Sequence, residues 1–219
     1  MEKNLKVLSI ASKDTYKWLL EKHYAKRIPN ITNSFGLFNN NILIGVVTYG
    51  IPASPSLCKG ICGENYAKYV IELNRLCLQN NNKNESSILV GRSLKLLPKP
   101  KIVVSYADTS QGHIGYVYQA TNFIYTGLSD KRTEWRIKNS NKHSKTISEQ
   151  YSLEERKNNP DKFEVVDRPR KHRYIFFVAN KKDKKIFMNN LKYKISQYPK
   201  GTSKRYDSGN NVTTQILLI

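Results

Sequence analysis

The stretch Val104-Ser-Tyr-Ala-Asp-Thr-Ser-Gln-Gly-His-Ile-Gly-Tyr-Val-Tyr-Gln-Ala-Thr-Asn-Phe-Ile-Tyr-Thr-Gly127 decides how this chain is read. It opens inside a β-branched run, Ile102–Tyr106, which reads as a buried strand. Asp108 to His113 follow as a polar, glycine-containing loop. Tyr116, Tyr118 and Gln119 then fall on a helix-like turn before a second strand, Phe123–Thr126. Ligands of open α/β sheets collect beyond the carboxyl ends of strands, and Asp108 stands two residues past such an end. An Asx-turn followed by tyrosines packed in the core is the competing reading of the same residues.

Working outward, the hydrophobic pattern predicts an ordered series of elements. Leu5–Ile10 reads as a strand, and Ser12 caps a predicted helix with Tyr16, Leu19, Leu20 and His23 on one face. Ser34–Phe38 and Ile42–Tyr49 flank Asn39-Asn40-Asn41, which predicts a hairpin. Ile51–Tyr66 holds prolines, glycines and two cysteines and reads as a loop. Lys68–Leu78 is a long strand. The turn Gln79–Asn84 leads into a helix carrying Ile88, Leu89, Leu94 and Leu97 on one side and ended by Pro98 and Pro100. Beyond Gly127, Thr133–Ile137 and Arg173–Val178 read as strands, 139–161 as polar and irregular, and Lys181–Lys194 as a basic amphipathic helix. The tail from Tyr198 is expected to be loosely held.

The chain has 219 residues, with 37 Lys and Arg against 17 Asp and Glu, a net charge of +20 and a pI near 9.8. Such an excess calls for a polyanionic partner, with nucleic acid as the default. Residues 131–219 hold 22 basic and 9 acidic side chains, so the shorter C-terminal part carries most of the excess. This is the distribution expected of a surface that lines phosphates, and a solvated, solubilising face is the alternative. No apolar run approaches the roughly 20 residues of a membrane span, and the N-terminus lacks a signal-peptide core. Three cysteines argue against a disulfide framework and for a reducing cytosol. Cys58 and Cys62 have a spacing compatible with zinc, but no second cysteine or histidine pair follows.

The stretch 104–127 resembles the signature of the bacteriophage Mom DNA-modification family. Similar features recur in order in His23-Tyr-Ala-Lys-Arg-Ile-Pro29, Leu57-Cys-Lys-Gly-Ile-Cys-Gly63, Glu72-Leu-Asn-Arg-Leu76 and Asn84-Glu-Ser-Ser87. The resemblance runs from about Asp14 to Gly127, and the basic Lys171-His-Arg-Tyr174 strand is also similar. It implies an α/β fold like that of the GNAT acyltransferases. On that reading residues 1–130 form the catalytic core, and 131–219 a basic part packed on it and touching double-stranded DNA. It further implies conversion of adenine in DNA to an N6-carbamoylmethyl form, protection of phage DNA from host restriction, an acetyl-CoA or related acyl donor, and a bound iron. The expected place of action is the cytoplasm of the phage's bacterial host, and the oligomeric state stays open, a homodimer included.

Residues divide accordingly. Arg75, a guanidinium inside an apolar strand, needs an anionic partner, either the donor or Glu72. Ser87 contacts a donor phosphate or caps its helix; the Gln/Arg-x-x-Gly-x-Gly/Ala pattern of CoA-binding relatives is absent around it. His23, Tyr24 and Asp108 are the candidate metal ligands, with Tyr106 or His113 nearby. Asp108 and Tyr118 are the candidate catalytic pair, one handling the amine proton and the other the leaving group. Lys181, Lys182, Lys184 and Lys185 are the candidate DNA contacts. Two further readings stand beside this one: a GNAT-like N-acyltransferase acting on RNA or protein, and a non-catalytic nucleic-acid-binding protein.

Overall fold

The computed structural model describes residues 4–201 apart from 81, 141 and 143. Strands β1 (Leu5–Ser9), β2 (Asn33–Asn39), β3 (Ile42–Gly50), β4 (Val70–Leu78), β5 (Lys101–Asp108), β6 (Ile124–Leu128) and β9 (Lys171–Val178) form one sheet in the order β1-β2-β3-β4-β5-β9-β6. Neighbours are antiparallel except β4 and β5, which run parallel. A two-stranded ribbon, β7 (Arg132–Ile137) with β8 (Phe163–Arg168), stands apart from this sheet. The mixed sheet with its helices bears out the expected α/β class. β9 threads between β5 and β6, so the core takes residues from both sides of position 130.

Helices cover both faces. On one, α2 (Glu85–Leu96) and α3 (Tyr116–Ala120) close a core that includes Leu89, Val90, Leu94, Val103, Tyr118, Phe123 and Tyr174. On the other, α1 (Pro55–Cys62) and α6 (Lys181–Asn189) close a second core around Ile61, Cys62, Ile102, Val104, Ile175 and Phe187. The ribbon carries α4 (Ser144–Gln150) and α5 (Leu153–Asn158), the latter started by a capping box between Ser152 and Glu155.

The predicted hairpin is present: Asn40 and Asn41 both adopt positive φ (48° and 69°), which asparagine tolerates better than most residues. Four expectations are corrected. The stretch 139–161, read as polar and irregular, holds α4 and α5. The loop 51–66 contains α1, because Ser54 accepts from Leu57 N–H and Pro55 occupies the first turn, a start signal that outweighs Gly60. The helix expected from Ser12 is a 3₁₀ turn (Ser12–Thr15) followed by a π turn (Trp18–Lys22). Its apolar residues therefore part company: Leu19 is buried while Tyr16 and Leu20 are exposed. Finally, Tyr198 is held, its hydroxyl donating to Phe123 O at 2.6 Å; the expectation for residues after 201 lies outside the described residues.

Candidate active site

β4 and β5 pair over four rungs, Val70↔Ile102 to Leu73↔Ser105, and then part, although β4 runs on to Leu78 and β5 to Asp108. Ser105 Oγ, donating to Leu73 O at 2.9 Å, closes the last rung. Beyond it the sheet is forked. A bulge sits at this point: Thr48 faces Arg75 and Tyr49 faces Leu73, leaving Asn74 as the extra residue. Asn74 is fixed by Thr48 Oγ1, which donates to its Oδ1 at 2.6 Å, and by its own Nδ2 donating to Asn30 O at 2.8 Å. The extra residue shifts the alternation, so Leu73 and Leu76 both join the α2-side core and Arg75 turns to the face of Glu72.

Arg75 has its Nε buried without a partner, while one terminal nitrogen donates to Asn74 O at 2.6 Å. Burial lowers its pKa, and Arg27 adds to that, while Tyr24 and Glu72 oppose it. Glu72 attracts it without forming an ion-pair contact among the described residues, so the partner that sequence reasoning demanded is only half supplied. The rings of His23 and Tyr24 stack at 4.5 Å, and Tyr24 meets His113 edge-on at 6.2 Å. Burial, with Arg75 and His113 nearby, pushes His23 down to about 4, so it is neutral at pH 7. Its Nδ1 accepts from Ala25 N–H at 3.1 Å. His23, Tyr24 and Arg75 are thus brought together at one side of the fork.

Asp108 and Tyr118 are not brought together. Alternation along β5 sends Ser105 and Ala107 toward α2 and α3, and Tyr106 and Asp108 to the opposite face. Asp108 ends the strand as an Asx-turn: its Oδ1 accepts from Ser110 N (3.0 Å) and Ser110 Oγ (2.7 Å), and its Oδ2 pairs with Lys171 Nζ at 2.9 Å. Burial raises its pKa, but the bonds from Ser110 and Lys171 prevail and hold the carboxyl below its usual range. Tyr118 lies in the aromatic core against Phe123 and Tyr174. Burial drives its phenol up to about 12 against the pull of the Ser105 hydroxyl, so it stays protonated, beside the last rung of the fork.

Ser87 is half-buried, and its hydroxyl donates to Asn84 O at 3.0 Å, so it does not cap α2 by accepting. It lines a groove of about 660 Å³ whose floor includes Ile88, Leu94 and Phe176. Lys184 and Lys185 sit on the rim of this groove with Lys95 and Lys99, whereas Lys181 and Lys182 are exposed at the start of α6.

A second cavity, of about 410 Å³, opens on the α1 face of the fork. Glu72, Tyr106 and Arg173 line it from the sheet, Tyr193 from the segment after α6, and Arg132 and Arg168 from the foot of the ribbon. Apart from opening the segment Glu72-Leu-Asn-Arg-Leu76, Glu72 enters the sequence reading only as a partner for Arg75, because one acid in a strand looks like an ordinary solvent-facing position. Its flanking residues, Ile71 and Leu73, are both buried, and an acid in so apolar a strand was the available signal. The arginines had no local signal, since only the cross-strand register Arg132↔Arg168 brings them together.

The expected iron set does not fit this arrangement. Asp108 is spent on Lys171 and Ser110, and His23 Nδ1 on Ala25. Among the described residues no group of three or more His, Cys, Asp or Glu side chains is placed to hold a metal ion.

The sheet, forked between β4 and β5, carries a polar cavity on the α1 face and an apolar groove between α2 and α6, and its fold is like that of acetyltransferases. The likeness extends to solved structures: an N-acetyltransferase from Staphylococcus aureus Mu50 (TM-score 0.45, 14% identity, 80% of this chain and 99% of that one) and an acetyltransferase of Bacillus subtilis in complex with CoA (TM-score 0.43, 11% identity, 80% and 99%). Residues 4–200 match the Mom protein family, and the chain belongs to it. It is 30% identical over 192 residues to the methylcarbamoylase mom of Escherichia phage Mu, covering 82% of this chain and 77% of that protein.

Proposed function

We propose that this Mom-family protein is a phage-type DNA-modifying transferase that converts adenine in double-stranded DNA to its N6-carbamoylmethyl form and so shields that DNA from host restriction. The observation that carries the reading is the family match over residues 4–200, which includes every element of the fork. The net charge of +20 supports a DNA substrate. Among the described residues no helix is long and apolar enough to cross a membrane, and the reading places the protein in the host cytoplasm.

The donor is of acyl-CoA type in this reading, and its binding departs from the usual helix-start cradle. Glu85 takes Asn82 N–H (3.0 Å) and Asn82 Nδ2 (2.9 Å) on its own carboxylate, so donors at the turn before α2 serve the protein's own acid. An anionic donor with an apolar arm finds its match in the groove that holds Ser87, with Lys95, Lys99, Lys184 and Lys185 for its phosphates. Lys181 and Lys182 remain for DNA phosphates. Arg75, with its unpartnered Nε–H, is assigned to polar atoms of the donor at the fork. The neutral phenol of Tyr118 is assigned to protonate the thiolate released when the thioester of an acyl-CoA donor is opened. The N6–CH₂ bond of the product lies outside that acyl transfer, and no residue is assigned to forming it. Asp108 enters as a positioning residue that fixes Lys171. No step is routed through iron, because the residues present do not fit it.

Mass spectrometry of nucleosides from bacteria expressing the chain tests the function directly. Adenine heavier by the carbamoylmethyl group, in DNA that resists adenine-containing restriction sites, is the expected result. Unmodified DNA from cells holding soluble protein and its donor would overturn it.

A further inference from the structure

The cavity on the α1 face has no role in donor binding as just described, and its composition is specific. Glu72 lies at the fork, on the rung Glu72↔Val104 just before the last, with both sequence neighbours buried in apolar core. Among the described residues no hydrogen bond reaches its carboxylate. Burial raises its pKa, against the attraction of Arg75 and Lys171, which is the behaviour of an acid short of donors. Such a group gains most from a ligand that brings an N–H.

The rest of the wall limits what that ligand is. Tyr106 and Tyr193 offer aromatic surface; Tyr193 is held by Arg173, whose guanidinium lies over its ring at 3.4 Å. Arg173 is itself tied down by Thr126, through Nε to Oγ1 at 3.0 Å and NH2 to the carbonyl at 3.2 Å, so this wall is rigid. At the mouth, Arg132 and Arg168 face each other across the ribbon and are both exposed. An acceptor at the floor, flat rings on the wall and guanidiniums at the entrance match a nucleotide whose base enters while its flanking phosphates stay outside. The volume, about 410 Å³, falls within the roughly 300–1,000 Å³ of small-ligand sites.

We infer that this cavity receives an adenine extruded from the DNA duplex, with Glu72 accepting a hydrogen bond from its exocyclic amine and Arg132 and Arg168 holding the phosphates on either side. The inference rests on the proposed DNA-adenine reading and gives it an acceptor site separate from the donor groove, with which it shares no lining residue. It also moves the nearest DNA contacts from α6 to the foot of the ribbon.

The test uses the full chain and matched short duplexes that carry, at one position opposite thymine, either adenine or purine, the same ring without the 6-amino group. Affinities of the parent, E72L, E72Q and R132A/R168A are compared at several salt concentrations. The adenine-over-purine ratio should fall about tenfold in E72L, the effect of one lost hydrogen bond. It should survive in E72Q, whose amide oxygen still accepts. R132A/R168A should weaken both duplexes alike and reduce the slope of log affinity against log salt by up to about two. An E72L protein that keeps the parent's ratio overturns the assignment, as does an unchanged salt slope in the arginine variant. If the parent modifies DNA in cells while E72L keeps the ratio, the pocket is wrong and the function stands. If the ratio responds as expected but the DNA carries no modified adenine, the function is wrong and the pocket stands.

Discussion

The two faces of the sheet at the fork are built from the same residue types put to opposite uses. On the α2 and α3 face, tyrosines are structural: Tyr49 bonds Ser93 at 2.6 Å, and Tyr174 donates to Ile114 O, both with no exposed surface. On the α1 face, Tyr106 and Tyr193 line a cavity with Glu72, Arg173 and the ribbon arginines. Alternation along β5 does the sorting, and the bulge at Asn74 adds Arg75 to the polar side. Tyr118 is the exception, a core tyrosine whose neutral phenol stands beside the last rung. The contrast teaches that a count of tyrosines in a basic chain says little until each is given a face.

The sharpest way to break this contrast is Tyr118→Phe. If Tyr118 serves chemistry, modification of DNA should fall by about 10²–10⁴-fold while the thermal midpoint stays near the parent's, because the ring still packs. Tyr49→Phe, on the same face, should do the reverse, costing about 1 kcal/mol of stability and leaving modification intact. Equal activity losses in the two variants would make Tyr118 one more core residue.

Gly115→Ala probes the core face itself. Gly115 has φ 84°, and an added Cβ would run into the ring of Tyr174. Backbone strain and overpacking together should cost about 3 kcal/mol, read as a lower urea midpoint, with activity lost only in proportion to unfolded protein. A large loss of activity in fully folded protein would show that the aromatic core positions the fork more tightly than its packing implies.

Much of the fold was legible because local signals and global pattern agreed. Asn40-Asn41 marked the hairpin, the β-branched run Ile102–Val104 marked β5, and the aromatic-rich run Tyr174–Val178 marked β9. What escaped depended on pairing in space. The partners of β9 are β5 and β6, both far back in sequence, so nothing local reveals that residues 171–178 belong to the central sheet. Helix α1 was hidden by its glycine and cysteines, and the 3₁₀ and π turns before His23 break the helical period that placed it. Of the candidate site, His23, Tyr24 and Arg75 converge, while Asp108 and Tyr118, read from the sequence as one catalytic pair, do not. Strand alternation separates them.

His23 gives a smaller effect with a definite sign. Its ring is neutral in the fold, with a pKa lowered from 6.5 to about 4 by burial, Arg75 and His113. The unfolded chain therefore binds the proton first as pH drops, and stability present above pH 6.5 is lost on the way down to about pH 4. His23→Asn can keep an acceptor for Ala25 N–H but cannot titrate. Between pH 7 and pH 5 the parent should lose about 1 kcal/mol relative to this variant, measured by urea denaturation. Parallel pH profiles would place the imidazole in contact with water and remove it from the fork.

The smallest effect is expected at Asp108, and it tests whether the cavity's edge is chemistry or scaffold. Asn at this position retains an oxygen for Ser110 N–H, so the turn should persist, but the attraction to Lys171 at 2.9 Å is lost. The carboxyl's folded pKa lies below its ordinary 3.8, because Ser110 and Lys171 outweigh the burial that raises it. Its contribution is therefore fully present above pH 3.8 and fades as pH falls through the lower folded value. The group is partly solvated, so the stability difference between parent and Asp108→Asn at pH 7 should be well under 1 kcal/mol and should vanish in strong acid. Modification of DNA should drop only a few-fold, through a loosened Lys171 at the rim. A loss as large as that of Tyr118→Phe, in protein whose stability is unchanged, would move the acceptor side of the chemistry from Glu72 to Asp108.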